Sequence, residues 1–93
     1  MSIEFQWDAA KAAVNLRKHG VAFEEAASAF ADTLSLTIRD PLHSAGELRF
    51  VLLGQSQSGR LLAVVHTERG DTIRIISART ASRKERKTYE ENA

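Results

Sequence analysis

The sequence predicts an α+β fold, with two N-terminal helices packed on one face of an antiparallel β-sheet and a short C-terminal helix closing the chain. Three observations predict it. Apolar residues recur at helical spacing between positions 9 and 30, the pattern turns strand-like from Leu34 onward, and the last three apolar runs are separated by loops of hairpin length. The resulting order is strand, two helices, four strands, helix, which makes a sheet layer with helices on one side and leaves the other side available.

Ile3, Phe5 and Trp7 alternate with Glu4 and Gln6, the period of a half-buried strand, with the three apolar side chains directed inward. Asp8 offers a carboxylate as an N-cap, and Ala9, Ala12, Ala13 and Leu16 then form a helical stripe. His19 and Gly20 supply a C-terminal imidazole and a left-handed cap, so the first helix is expected over residues 8 to 19. Phe23, Ala26, Ala27 and Phe30 repeat the stripe, with Glu24 and Glu25 near the positive end of the helix dipole, which predicts a second helix over 23 to 31. Strands are expected over 34 to 38, 48 to 54, 60 to 68 and 71 to 79, with a turn at Pro41 and Gly46. Ser82 and Glu85, three apart, form a capping box for a last helix reaching about Tyr89.

The 93 residues make one domain, 1–93, able to bury somewhat more than ~60% of its unfolded surface. Hydrophobic content of 43% and charged content of 27% are those of an ordinary globular chain, with no repeat or low-complexity tract. Absence of cysteine rules out disulfides and thiolate metal sites. His19, His43 and His66 show no ligand spacing, so neither metal nor cofactor is expected. The N-terminus has no signal-peptide pattern and the apolar runs are too short to span a bilayer, so a cytoplasmic protein without membrane attachment is expected.

The net charge of +1 conceals an asymmetry. Residues 1 to 47 hold four basic and seven acidic side chains, a net of −3, whereas residues 60 to 87 hold eight basic and three acidic, a net of +5. Five of those cations, Arg79, Arg83, Lys84, Arg86 and Lys87, fall within nine residues. Such a basic half points to a polyanion, and nucleic acid is the commonest.

The segments FQWD at 5–8, LRKHGVAFEEA at 16–26, GELRFVLLG at 46–54, GRLLAVVHTERGD at 59–71 and IRIISARTASRKERKTYE at 73–90 resemble, in this order, the BrnT family of small bacterial toxins. One departure is Ala22, where members of that family often carry a small polar cap for the second helix. The resemblance implies a RelE-like fold and an RNA-cleaving toxin that inhibits translation. It also implies a BrnA-like ribbon-helix-helix antitoxin, two toxins flanking an antitoxin dimer, and binding of that complex to operator DNA.

Metal-free RNA cleavage uses the 2′-hydroxyl as nucleophile, and the protein must position it, move protons and stabilise charge on the phosphoryl oxygens. Arg79, closing the last strand, and Arg83, opening the last helix, are the expected phosphate ligands. His66, Glu47 and Tyr89 are the candidates for proton transfer or substrate orientation, and Arg49, Arg60, Arg69, Arg74 and Arg86 for holding RNA. Each has a structural alternative: a solvated helix face, a buried strand histidine, an ordinary ion pair, or a tyrosine packing the helix onto the sheet. The functional alternative to an endoribonuclease is a non-catalytic basic module that binds an antitoxin and co-represses its operon on DNA.

Overall fold

The computed structural model describes residues 3–40 and 47–92. In chain order the described elements are β1 (Glu4–Gln6), α1 (Ala9–His19), α2 (Phe23–Ser28) running into a 3₁₀ turn (Ala29–Ala31), β2 (Leu36–Arg39), β3 (Phe50–Gln55), β4 (Leu61–Arg69), β5 (Thr72–Thr80) and α3 (Arg83–Glu91). The turn expected at Pro41 and Gly46, and His43 with it, lies outside the described residues. The strands form one sheet in the order β1-β5-β4-β3-β2. The meander β2 to β5 is antiparallel, as expected, but β1 joins β5 in parallel, Glu4 opposite Thr72 and Gln6 opposite Arg74. No hairpin constrains that pair, because two helices and three strands separate β1 from β5, and a long connection permits the parallel direction. Among the described residues no helix is long and apolar enough to cross a membrane.

Alternation along the strands divides the interior into two layers. Leu52, Leu62, Val64, Ile73, Ile75 and Ala78 meet Val21, Phe23, Ala26 and Ala29 of the α1–α2 region on one face, with Phe5, Trp7, Ala12, Ala27 and Phe30 packed around them. Leu53, Leu61 and Ala63 point the other way and are covered by Tyr89 of α3, together with Leu36, Val51 and Ala81. The second face is therefore roofed at one end by α3, and only its remainder is open. Gly54 permits the 3₁₀ turn to lie close on β3, because a Cβ there would stand 2.7 Å from the Ala29 carbonyl oxygen.

The N-terminal half corrects the expected stripes. Asp8 caps α1 by accepting from the N–H groups of Ala10 and Lys11, and Gly20 ends it at φ 70° with its N–H donating to Leu16. Yet Leu16 is 51% exposed and Ala9 and Ala13 face solvent, while Asn15 is buried. The Asn15 amide donates to the carbonyls of Val21 (2.9 Å) and Ala78 (2.8 Å) and accepts from the Ala78 N–H (3.0 Å). β1 stops at Gln6, so among the described residues the outer edge of β5 beyond Arg74 has no neighbouring strand. Asn15 takes the place of one at Ala78, satisfying an edge that would otherwise be open. Ile3 is likewise exposed rather than inward, and Trp7 is only half-buried. Ala22 sits in extended N-cap geometry but makes no capping hydrogen bond, so α2 starts uncapped, as its departure from the family pattern implies.

Candidate nucleic-acid interface and active site

The partly open face owes its composition to an irregularity in β5. Val65 pairs with Ser77 but His66 pairs with Ile75, so Ile76 is an extra residue, a β-bulge. Because of that extra residue Arg74, opposite Thr67, and Arg79, opposite Ala63, lie on the same face although they stand an odd number of positions apart. Arg69 shares the face with Thr67, and Arg49 reaches it by alternation with Val51 and Leu53, its carbonyl continuing the β3 ladder through the Asp40 N–H. Four arginines thus rise from one surface, and exposed Arg83 and Arg86 of α3 border it.

At the α3 end, Arg79 donates from Nη1 and Nη2 to the two carboxylate oxygens of Glu85, at 2.7 and 2.9 Å. Glu85 also completes the capping box, accepting from the Ser82 N–H while its own N–H donates to the Ser82 hydroxyl. The Arg79 hydrogen bonds, with help from the Ser82 N–H, pull the Glu85 carboxyl down to about 2, and the same pair raises the Arg79 guanidinium. The Arg79 fork is therefore occupied by an internal anion in a geometry that a phosphate can also satisfy. Sequence reasoning read Glu85 only as a cap. Its position six residues after Arg79, across a strand-to-helix turn, was the available signal for the second role.

Arg74 stands five positions from Arg79 along β5, roughly 15 Å at about 3.3 Å per residue once the bulge takes up part of one step. Arg74 has no hydrogen bond or ion pair to another side chain among the described residues, though its charge is felt at Asp8. It lines a cleft of about 260 Å³ with Gln6, Glu47, Thr67, Arg69 and Thr72. At the cleft rim Arg69 donates to Glu47 at 2.7 Å, an exposed pair. Glu47 is thus at the end of the face remote from Arg79, and the two do not converge.

The other candidates are held elsewhere. His66 has no exposed surface: it lies on the helix-covered face between the rings of Phe30 (centroids 4.8 Å apart) and Phe50 (5.9 Å), with Nε2 3.0 Å from Glu68 and Nδ1 3.2 Å from the Val64 carbonyl. In this position it cannot touch RNA. Arg60 is also on the helix side, donating to Glu25 of α2 (Nε at 2.9 Å, Nη2 to the second oxygen) and to the Gly20 carbonyl. Arg60, aided by the Ser58 and Ser56 hydroxyls, depresses the Glu25 carboxyl to about 2. Tyr89 is buried under α3, and its hydroxyl donates to Asp32 at 2.6 Å, which raises the phenol further. Burial opposes ionisation of Asp32, but the Gln55 N–H, the Tyr89 hydroxyl and the Leu34 N–H outweigh it and its carboxyl is lowered. Asp32, which nothing in the sequence singled out, is thus the peg that ties α3 to the end of β3. Among the described residues no group of three or more His, Asp or Glu side chains is arranged to hold a metal ion.

The comparisons with known proteins agree with this architecture. A crystal structure of the Brucella abortus ribonuclease toxin BrnT is similar, with a TM-score of 0.58 and 25% identity over 88% of this chain and 100% of that one. Comparison with curated proteins finds no match. A family model described as the ribonuclease toxin BrnT of type II toxin-antitoxin systems matches residues 7–85, and the chain belongs to that family.

Proposed function

We propose that this chain is a metal-independent endoribonuclease toxin, a single domain that lays RNA across the open sheet face and cleaves it beside the N-terminus of α3. The observation that carries the reading is the bidentate Arg79–Glu85 pair, set between a basic helix and an arginine-lined surface in a member of a ribonuclease family. A phosphate entering the Arg79 fork displaces Glu85, and a carboxylate released from its guanidinium regains basicity. Glu85 then takes the proton of the 2′-hydroxyl as that oxygen attacks phosphorus. The bond from phosphorus to the 5′-oxygen breaks and that oxygen takes a proton from water, leaving a 2′,3′-cyclic phosphate and a 5′-hydroxyl. Arg79 and Arg83 stabilise the charge gathering on the phosphoryl oxygens, aided by the helix N-terminus. Arg49, Arg69, Arg74 and Arg86 hold the flanking strand, and Arg60, His66 and Tyr89 support the fold.

Membership of a type II family brings an antitoxin partner. A ribbon-helix-helix antitoxin, present as a dimer flanked by two toxins and bound to operator DNA, is the form we propose for it. The test is purified protein with RNA in excess EDTA. Continued cleavage to cyclic-phosphate ends, lost in Arg79→Ala, is the expected result. Intact RNA with salt-sensitive binding would instead identify a non-catalytic basic module.

A further inference from the structure

The cleft around Arg74 holds an unexplained polar group. Thr67 is 2% exposed and borders the cleft, and among the described residues its hydroxyl oxygen is the buried side-chain atom with no hydrogen-bond partner. Buried hydroxyls are nearly always paired, so an orphan on a residue that borders a cavity points to a partner supplied from that cavity. Thr67 lies on the central strand, paired with Arg74 of β5 and one residue past the His66–Phe50 pair that ends the β3 register, and Val65, two residues along β4, occupies the same face without any polar atom in its side chain. Nothing in the packing requires a hydroxyl at this point.

The surrounding groups define the chemistry of that partner. Gln6 and Arg74 lie side by side across the parallel β1–β5 pairing, and Thr67 stands opposite Arg74 on β4. Thr72 and the Arg69–Glu47 pair complete the wall. A phosphate asks for donors only, yet this wall includes a carboxylate, an amide carbonyl and two hydroxyls beside the cations. A neutral nucleobase meets that carboxylate without the repulsion a phosphate would, and the O6 and N7 acceptors of guanine ask for the donors that the arginines and hydroxyls supply. With a volume of about 260 Å³, the cleft lies below the roughly 300–1,000 Å³ of drug-sized ligand pockets, so its occupant is a fragment of a chain.

We infer that this cleft is a base-reading subsite that receives one unstacked nucleobase of the RNA, guanine in preference, with Arg74 donating to O6 and N7 and the Thr67 hydroxyl completing the contact. Single-stranded RNA exposes that edge once its bases are splayed, and a guanidinium fork is the best match to it. The inference rests on the reading of this face as the RNA track. Since Arg74 is roughly 15 Å along β5 from Arg79, the base read here is not at the scissile phosphate, and the subsite sets where along the message the cut falls.

The test is an NMR titration of the isotopically labelled full chain with the four nucleoside 3′-monophosphates and with inorganic phosphate. The guanosine nucleotide is expected to shift the Thr67 amide and Arg74 Nε signals at roughly tenfold lower concentration than the others, and Thr67→Val to remove that advantage. Equal response to all four nucleotides, the same shifts from phosphate alone, no response at these signals, or an unchanged preference in Thr67→Val overturns the subsite. These outcomes are independent of the ribonuclease reading, which is decided by wild-type cleavage in EDTA.

Discussion

Arg74 and Arg79 stand five residues apart on β5 and rise from the same face of the sheet, because the bulge at Ile76 resets the alternation between them. Without it, strict alternation would turn Arg79 into the helix-covered layer, where a guanidinium has no water and no room. The bulge therefore gives the face two cationic stations along one strand. Replacing Arg79 with alanine removes one phosphate contact, so the slope of log K against log salt for single-stranded RNA should fall by about 0.7, whereas replacing Arg74, which meets a base, should weaken binding with little change in slope. Arg60→Ala is the control. It breaks the Glu25 pair on the opposite side of the sheet, which should lower the urea midpoint while leaving the salt slope unchanged. A changed slope in Arg60→Ala would move the RNA track to the wrong face.

Glu85 is asked to do two opposed things, and one substitution separates them. Glu85→Gln keeps a side chain able to complete the capping box but removes the anion that competes with phosphate for Arg79. RNA binding, measured by filter retention or anisotropy, should tighten severalfold, while cleavage falls by roughly 10²–10⁴ for loss of a general base. Loss of both binding and cleavage would show that Glu85 merely supports the helix.

Much of this layout was legible in the residues. The hairpin loops, the Gly20 cap, the Ser82–Glu85 box and the uncapped Ala22 all depend on neighbours in sequence, and each is found where local chemistry puts it. What the sequence hid depends on partners distant along the chain. Asn15 reads as a polar helix residue until β5 is seen to lack a neighbour beside Ala78, and Leu16 reads as core until Asn15 takes its place. His66 has the side chain of a catalyst, but strand parity sends it toward Phe30 and Phe50. The bulge leaves no local mark at all, since Ile75 and Ile76 are the same residue type on opposite sides of the irregularity.

Asn15 carries a testable burden. Asn15→Leu should fit a helix better by propensity, yet it strands the Ala78 N–H and the Ala78 and Val21 carbonyls in a buried place. The expected loss is about 3 kcal/mol, read as a lower urea midpoint. Hydrogen exchange at the Ala78 amide should accelerate beyond what global destabilisation explains. Asn15→Asp, which keeps an acceptor for that amide but loses both donors, should spare the exchange rate more than the stability.

Acid should find two weak points. The folded pKa of Glu25 is about 2 against an ordinary 4.5, and that of Glu85 is also about 2. A depressed carboxyl contributes stability that is fully present above its unfolded pKa and is lost as pH falls through its folded one. Stability should therefore decline between about pH 4.5 and pH 2. Glu25→Gln should be less stable than wild type at neutral pH and should show a shallower decline across that window in urea unfolding. An identical pH profile in the variant would mean that the Arg60 pair is already open in solution.

Thr67→Val sets stability against recognition. Valine has nearly the shape of threonine, so the substitution removes an unpartnered hydroxyl from a buried site without leaving a hole. A buried polar group without a partner costs roughly 1–3 kcal/mol, and the valine variant should recover about 1 kcal/mol of this in chemical or thermal unfolding. A residue kept at a cost to the fold while its neighbour Val65 is apolar is doing something other than folding, and the same variant should cut RNA with less regard to the base occupying the cleft. Should Thr67→Val prove less stable than wild type, the hydroxyl has an internal partner in solution, and the reason for assigning it to a ligand disappears.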